Sequence, residues 1–165
     1  MSYMLDEIHQ QPDVIAKLVE HERRAAAELA AEIEKRDIHF VMLAARGTSD
    51  HAAIYGKYLL EIKNGLPVAL ADPSVFTLYD SDLRLERALV VGISQSGQAA
   101  DVAECLTRAK KAGALTVSIT NEPGSTITEI ADHGILCHAG KEYGVAATKT
   151  YTSTLAAFYL LSSHL

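Results

Sequence analysis

Apolar residues fall into two rhythms along the chain. Between Pro12 and Lys35, Ile15, Leu18, Val19, Ala25, Ala26, Leu29 and Ile33 recur at helical spacing with charges between them, which is the mark of one buried helix face. The pattern predicts a long amphipathic helix opening at Pro12, because proline suits a first helical turn. Beyond it the apolar residues contract into short runs: His39 to Ala45, Pro67 to Ala71, Arg87 to Ile93, Ala114 to Ile119 and Gly134 to His138. These five runs read as strands, and their near-continuous hydrophobicity calls for a sheet covered on both faces.

Helical patterns separate the runs: Asp50 to Lys63, Gln98 to Ala112, a short one from Ser125 to Ile130, and Ala147 to Leu161. Strands alternating with helices predict an α/β fold, a doubly wound three-layer sandwich around a five-stranded parallel sheet. The last helix stays apolar to Leu165 without a polar tail, so a partner surface or further chain is expected to cover it.

Composition narrows the function classes. At 165 residues the chain has the length of one domain and needs no disulfide or metal to fold. A net charge of −6 with no dense Lys/Arg run disfavours nucleic acid and anionic lipid as partners. No run is long enough to cross a membrane and the first residues lack a signal-peptide pattern, so a cytoplasmic setting is expected. Cys105 and Cys137 form no CxxC and read as buried, reduced thiols; His9, His21, His39, His133 and His164 share no ligand spacing, so no metal is expected.

In open α/β sheets ligands bind beyond the carboxyl ends of the strands. After the first run stands Arg46-Gly47-Thr48-Ser49-Asp50, and after the third Gly92-Ile93-Ser94-Gln95-Ser96-Gly97-Gln98. Each joins a strand to a helix through small hydroxyl residues and glycine, placing orphan N–H groups and a positive helix end beside hydroxyl donors. Either loop alone could be only a turn with an N-cap serine. Together they predict a site for a small phosphate. Gln98 stands where a Walker A loop needs lysine, and GxGxxG is absent, so neither a nucleoside triphosphate nor a dinucleotide cofactor is expected.

GTS after the first strand, SQSG after the third, and Glu142-Tyr143-Gly144-Val145-Ala146-Ala147-Thr148-Lys149-Thr150 before the last helix resemble the SIS (sugar isomerase) domain family. The likeness spans nearly the whole chain. It is greatest to the first of the two such domains in the isomerase portion of glutamine:fructose-6-phosphate aminotransferases and to SIS-type glucosamine-6-phosphate deaminases. The resemblance implies a Rossmann-like fold, with residues 1–36 a helical lead-in and 37–165 the phosphosugar-binding domain, either the first half of a two-domain parent or one subunit of a homodimer. It implies that Ser94, Gln95, Ser96 and Gly97 hold the phosphate with Gly47, Thr48 and Ser49 approaching, and that Val145 and Ala147 line the sugar. Departures occur at Arg46, where cysteine is common, and at Ala99 and Ala147, where hydroxyls are lost. With Asp50-His51-Ala52-Ala53 they lean toward the deaminase-like branch.

Aldose–ketose isomerisation needs a base near C1 and C2 and a group that opens the ring. In the two-domain relatives these lie in or after the second domain, and their motifs are not found in this chain. Local candidates for a base are Glu142 and His51, read first as a solvated acid beside a loop and a helix-surface histidine; Glu61 and His138 are read as structural, and Lys149 as reaching the site or bridging to an acid. The expected function is therefore the phosphosugar-binding part of an isomerase, aminotransferase or deaminase acting on fructose 6-phosphate or glucosamine 6-phosphate. The alternatives are a regulatory domain that senses a phosphosugar without chemistry and a bare assembly module.

Overall fold

The computed structural model describes residues 2–165. Its elements run α1 (Tyr3–Lys35), β1 (Phe40–Ala44), α2 (Thr48–Asn64), β2 (Val68–Leu70), α3 (Ser74–Thr77), β3 (Ala88–Ile93), α4 (Ala100–Lys111), β4 (Leu115–Thr120), α5 (Thr126–Ile130), β5 (His133–Leu136) and α6 (Lys149–Ser162). All five strands pair in parallel, in the order β2-β1-β3-β4-β5. In register, Leu43 lies beside Leu70 on one side and Val91 on the other.

Side chains alternate across the sheet and so build two cores. Val41, Leu43, Leu89, Val91, Leu115 and Val117 pack with Leu18 and Leu29 of α1, Leu60 of α2 and Phe158 of α6. Met42, Ala44 and Val90 face the other way, toward Phe76 of α3, Val102 and Leu106 of α4 and Ile127 of α5. Every residue of β3 and β4 is buried, as expected of inner strands with helices on both faces. On β4 the second face carries hydroxyls, and these are satisfied: Thr116 donates to Asp132 at 2.8 Å and Thr120 to the Gln95 carbonyl at 3.3 Å.

The predicted opening of α1 at Pro12 is corrected by the structure, which starts the helix at Tyr3 with Pro12 inside it. An interior proline removes a hydrogen bond and costs about 3 kcal/mol or more. Tertiary contacts offset that cost. Glu7, only 3% exposed, accepts the backbone N–H groups of Tyr143 and Gly144, Gln10 accepts Lys149 Nζ at 2.9 Å, and Tyr3 stacks on Tyr143. Periodicity could not reveal a turn held by a distant loop. The other boundaries differ by one or two residues, as at β5, which begins at His133 and ends before His138, a residue with φ of +52°. The short α3 in the long connection from β2 to β3 was not predicted.

Candidate functional site

The chain runs from β1 outward to β2, then returns across β1 to form β3 on its other side. At such a reversal the flanking helices leave on opposite faces and a crevice opens between the strand ends. Here α2 joins one core and α4 the other, and the loops after β1 and β3 border a cavity of about 310 Å³. That volume is at the lower end of ordinary small-ligand sites, roughly 300–1,000 Å³.

Seven of the sequence candidates line this one cavity: Thr48 and Ser49, Ser94, Gln95 and Ser96, and Val145 and Ala147. Gly47 and Gly97 shape its loops from behind. Thr150, Tyr151 and Thr154 of α6 close the opposite wall. These three were missed by sequence reasoning, although the four-residue step between Thr150 and Thr154 in an otherwise apolar helix was a usable signal. Arg46 also lines the cavity, and among the described residues it is the sole charged side chain that does so.

The second loop is held rigidly. Gly97 sits at φ +65°, and its N–H is directed at Ser94, at 3.1 Å from both the carbonyl and Oγ. A Cβ on Gly97 would lie 2.0 Å from Ser125 Oγ and 2.3 Å from Ser125 Cβ, so both conformation and space demand glycine. The Gln95 carbonyl accepts from Asn121 N at 3.1 Å as well as from Thr120, tying the loop to the end of β4. Asn121 in turn accepts from Ala139 N and donates to the Gly140 carbonyl, both at 2.8 Å, so the loops after β3, β4 and β5 form one network. Within it Ser94 is buried, with its own hydroxyl proton left to direct, while Gln95 and Ser96 are exposed to the cavity.

The first loop turns at Gly47, with φ +58° and ψ −128°. Gly47 and Ala99 occupy the cap positions of α2 and α4, and neither supplies a side-chain acceptor. Two helix amino ends thus border the cavity without a side-chain cap; Ser49 N and Asp50 N reach the Arg46 and Gly47 carbonyls and Val102 N reaches Asp101 Oδ1.

The third segment is anchored at both ends. Glu7 grips the amides of Tyr143 and Gly144, and Lys149, 4% exposed, donates to Gln10 and to the Lys141 carbonyl. Lys149 therefore neither lines the cavity nor bridges to an acid, contrary to both readings of it. Between the anchors Val145 projects into solvent at the cavity mouth. Glu142 turns back on α6, accepting from Thr148 N at 2.8 Å, from Thr148 Oγ1 at 3.0 Å and from the N–H and hydroxyl of Thr150. Partial burial pushes the Glu142 carboxyl up, but the donors from Thr150 and Thr148 outweigh it and hold the group below the usual carboxylate range. In this arrangement Glu142 is a cap for α6. It does not line the cavity, and neither does His51, which is exposed on α2.

Other polar residues serve the scaffold. Glu61 accepts from Val68 N at 3.2 Å, and His138 Nε2 lies 2.6 Å from the buried Glu22 carboxylate of α1. Both cysteines are buried and unpaired; burial pushes Cys105 up to about 12 and Cys137 up to about 11. Among the described residues no group of His, Cys, Asp or Glu could hold a metal ion, and no helix is long and apolar enough to cross a membrane.

Known proteins supply an independent comparison. Glutamine–fructose-6-phosphate aminotransferase [isomerizing] of Gloeobacter violaceus is 40% identical over 99% of this chain, which covers 27% of that protein. A candidate phosphosugar isomerase of Silicibacter pomeroyi DSS-3 superposes with a TM-score of 0.96 at 40% identity, over 99% of this chain and 50% of that one. The C-terminal domain of glucosamine-fructose-6-phosphate aminotransferase from Francisella tularensis gives 0.84 at 29% identity, over 98% of this chain and 47% of that one. The chain thus spans about a quarter of the length of the curated relative and half that of the solved structures. The SIS domain profile matches residues 36–163, and the chain belongs to the SIS domain family.

Proposed function

We propose that this chain is the phosphosugar-binding part of an enzyme that isomerises, aminates or deaminates a hexose 6-phosphate, with fructose 6-phosphate and glucosamine 6-phosphate as its substrate class. The observation that carries the reading is the convergence of Thr48, Ser49, Ser94, Gln95 and Ser96 in one cavity between the ends of β1 and β3. Two helix amino ends and a set of hydroxyls can hold a phosphoryl group there, while Val145 and Ala147 border the sugar. The aminotransferase relatives support the choice of substrate class.

In this reading residues 1–36 are a lead-in that positions the sugar-lining segment through Glu7 and Gln10, and residues 37–165 are the binding domain. The groups that move a proton between C1 and C2 come from a second such domain, in the same polypeptide or in a second copy of the chain. Glu142 is committed to α6, which leaves it poorly suited to that task. The setting is cytoplasmic.

The test is replacement of Ser94 and Ser96 together by alanine in the full-length protein. Charge-assisted donors contribute about 1–3 kcal/mol each, so affinity for fructose 6-phosphate is expected to fall by at least about tenfold. Titration calorimetry with fructose as the control reads the outcome: a variant that no longer distinguishes the two sugars supports the reading, and an unchanged preference for the phosphorylated one refutes it. Binding by the full-length protein without any interconversion would reassign it as a sensor.

A further inference from the structure

Arg46 stands at the end of β1, and its Nε lies 3.2 Å from Asp101 Oδ2 in the first turn of α4. The pair therefore crosses the mouth of the crevice from one loop to the other. The Arg46 side chain is 69% exposed, whereas that of Asp101 is 20% exposed and keeps its second oxygen 3.0 Å from Val102 N. Asp101 is fixed and Arg46 is free to leave. An exposed pair of this kind contributes little and exchanges partners readily.

A cation would add to the hydroxyls and helix amino ends that the cavity already offers. The whole chain carries a net charge of −6, the cavity's other lining side chains are uncharged, and two of its wall positions, Ala99 and Ala147, have no side-chain donor. An arginine fork matches a phosphoryl group through two parallel N–H···O bonds, which a carboxylate on one Nε contact does not saturate.

Building on the phosphosugar reading above, we infer that Arg46 is a specificity-determining residue: it leaves Asp101 to clamp the phosphoryl group of the bound sugar, and Asp101 sets the affinity by competing for it. Asp101 has the opposite effect to Arg46. Removing its charge releases the guanidinium and strengthens binding.

The experiment is a double-mutant cycle by titration calorimetry on the full-length protein, with fructose 6-phosphate as ligand and fructose as control. Arg46→Gln is expected to lose about tenfold in affinity for the phosphorylated sugar, the scale of one charge-assisted donor pair, with affinity for fructose unchanged. Asp101→Asn, which keeps an acceptor for Val102 N, is expected to gain a few-fold, and the gain should vanish in the Arg46→Gln background. Arg46→Gln binding fructose 6-phosphate as well as the wild type overturns the inference. So does an Asp101→Asn gain that persists undiminished without Arg46, because Asp101 would then act only through its field. If the wild type itself fails to prefer fructose 6-phosphate, the phosphosugar reading falls and this inference with it. Loss of preference in the Ser94→Ala, Ser96→Ala variant but not in Arg46→Gln defeats the inference alone.

Discussion

The amino end of α6 and the amino ends of α2 and α4 border the same cavity and present the same kind of orphan N–H group, but they are finished in opposite ways. At α6 the chain supplies its own anion: the Glu142 carboxylate accepts from the N–H groups and hydroxyls of Thr148 and Thr150. At α2 and α4 the cap positions hold Gly47 and Ala99, whose side chains have no acceptor to give, and among the described residues the one carboxylate contact at either end is Asp101 Oδ1 on Val102 N of α4, at 3.0 Å. A helix amino end attracts an anion wherever one can reach it. Whether it becomes a brace or a binding site depends on which anion the chain has placed there.

The comparison can be broken most severely at Gly97, whose positive φ shapes the open side. Gly97→Ala adds strain of about 1–3 kcal/mol for the conformation and a similar amount for the collision with Ser125, so a loss of roughly 2–6 kcal/mol is expected. Thermal or denaturant unfolding reads it, and an alanine variant as stable as the wild type would contradict the geometry.

Next in size is conversion of an open end into a closed one. Ala99 lines the cavity in an extended cap conformation, so Ala99→Asp should cap α4 and raise stability by about 0.5–2 kcal/mol. The same carboxylate would meet a phosphoryl group as a like charge, a penalty of several kcal/mol, and affinity for fructose 6-phosphate should drop by about a hundredfold or more. Higher melting temperature with undiminished binding would show that the phosphate is not at this helix end.

The smallest effect is expected at the closed end. Glu142→Gln keeps the shape but removes the charge, and should cost about 1 kcal/mol near neutrality. Because the folded carboxyl is held below its ordinary value, its contribution is present above the unfolded value of about 4.3 and is lost as pH falls through the lower folded value. Wild type and variant should therefore differ in stability at pH 7 and converge in acid. A difference that grows as the pH is lowered would reverse the sign and exclude the cap.

Tests at the two ends should also separate. Glu142→Gln should change stability more than binding, and the serine pair of the second loop binding more than stability.

The five strands, the alternation with helices and the two hydroxyl loops were legible in the chain because each is local. A short apolar run bounded by glycine reads the same wherever it packs, and Thr48 to Ser49 and Ser94 to Gly97 follow strand ends by sequence position alone. Chemistry of the local type was legible too, down to the absence of a Walker lysine at Gln98.

What remained hidden was set by pairs far apart in the chain. The first turns of α1 are held by Glu7 and Gln10 against residues near 145, and no periodicity near Pro12 records that. Glu142 as a cap, Lys149 as an internal tie and Arg46 as the cavity's cation likewise depend on which groups the fold brings within hydrogen-bonding distance. Secondary structure follows from neighbours in sequence, where propensity and spacing act. A side chain's partners follow from neighbours in space, and the cost of leaving a buried carboxylate or ammonium unpaired is settled only once those neighbours are in place.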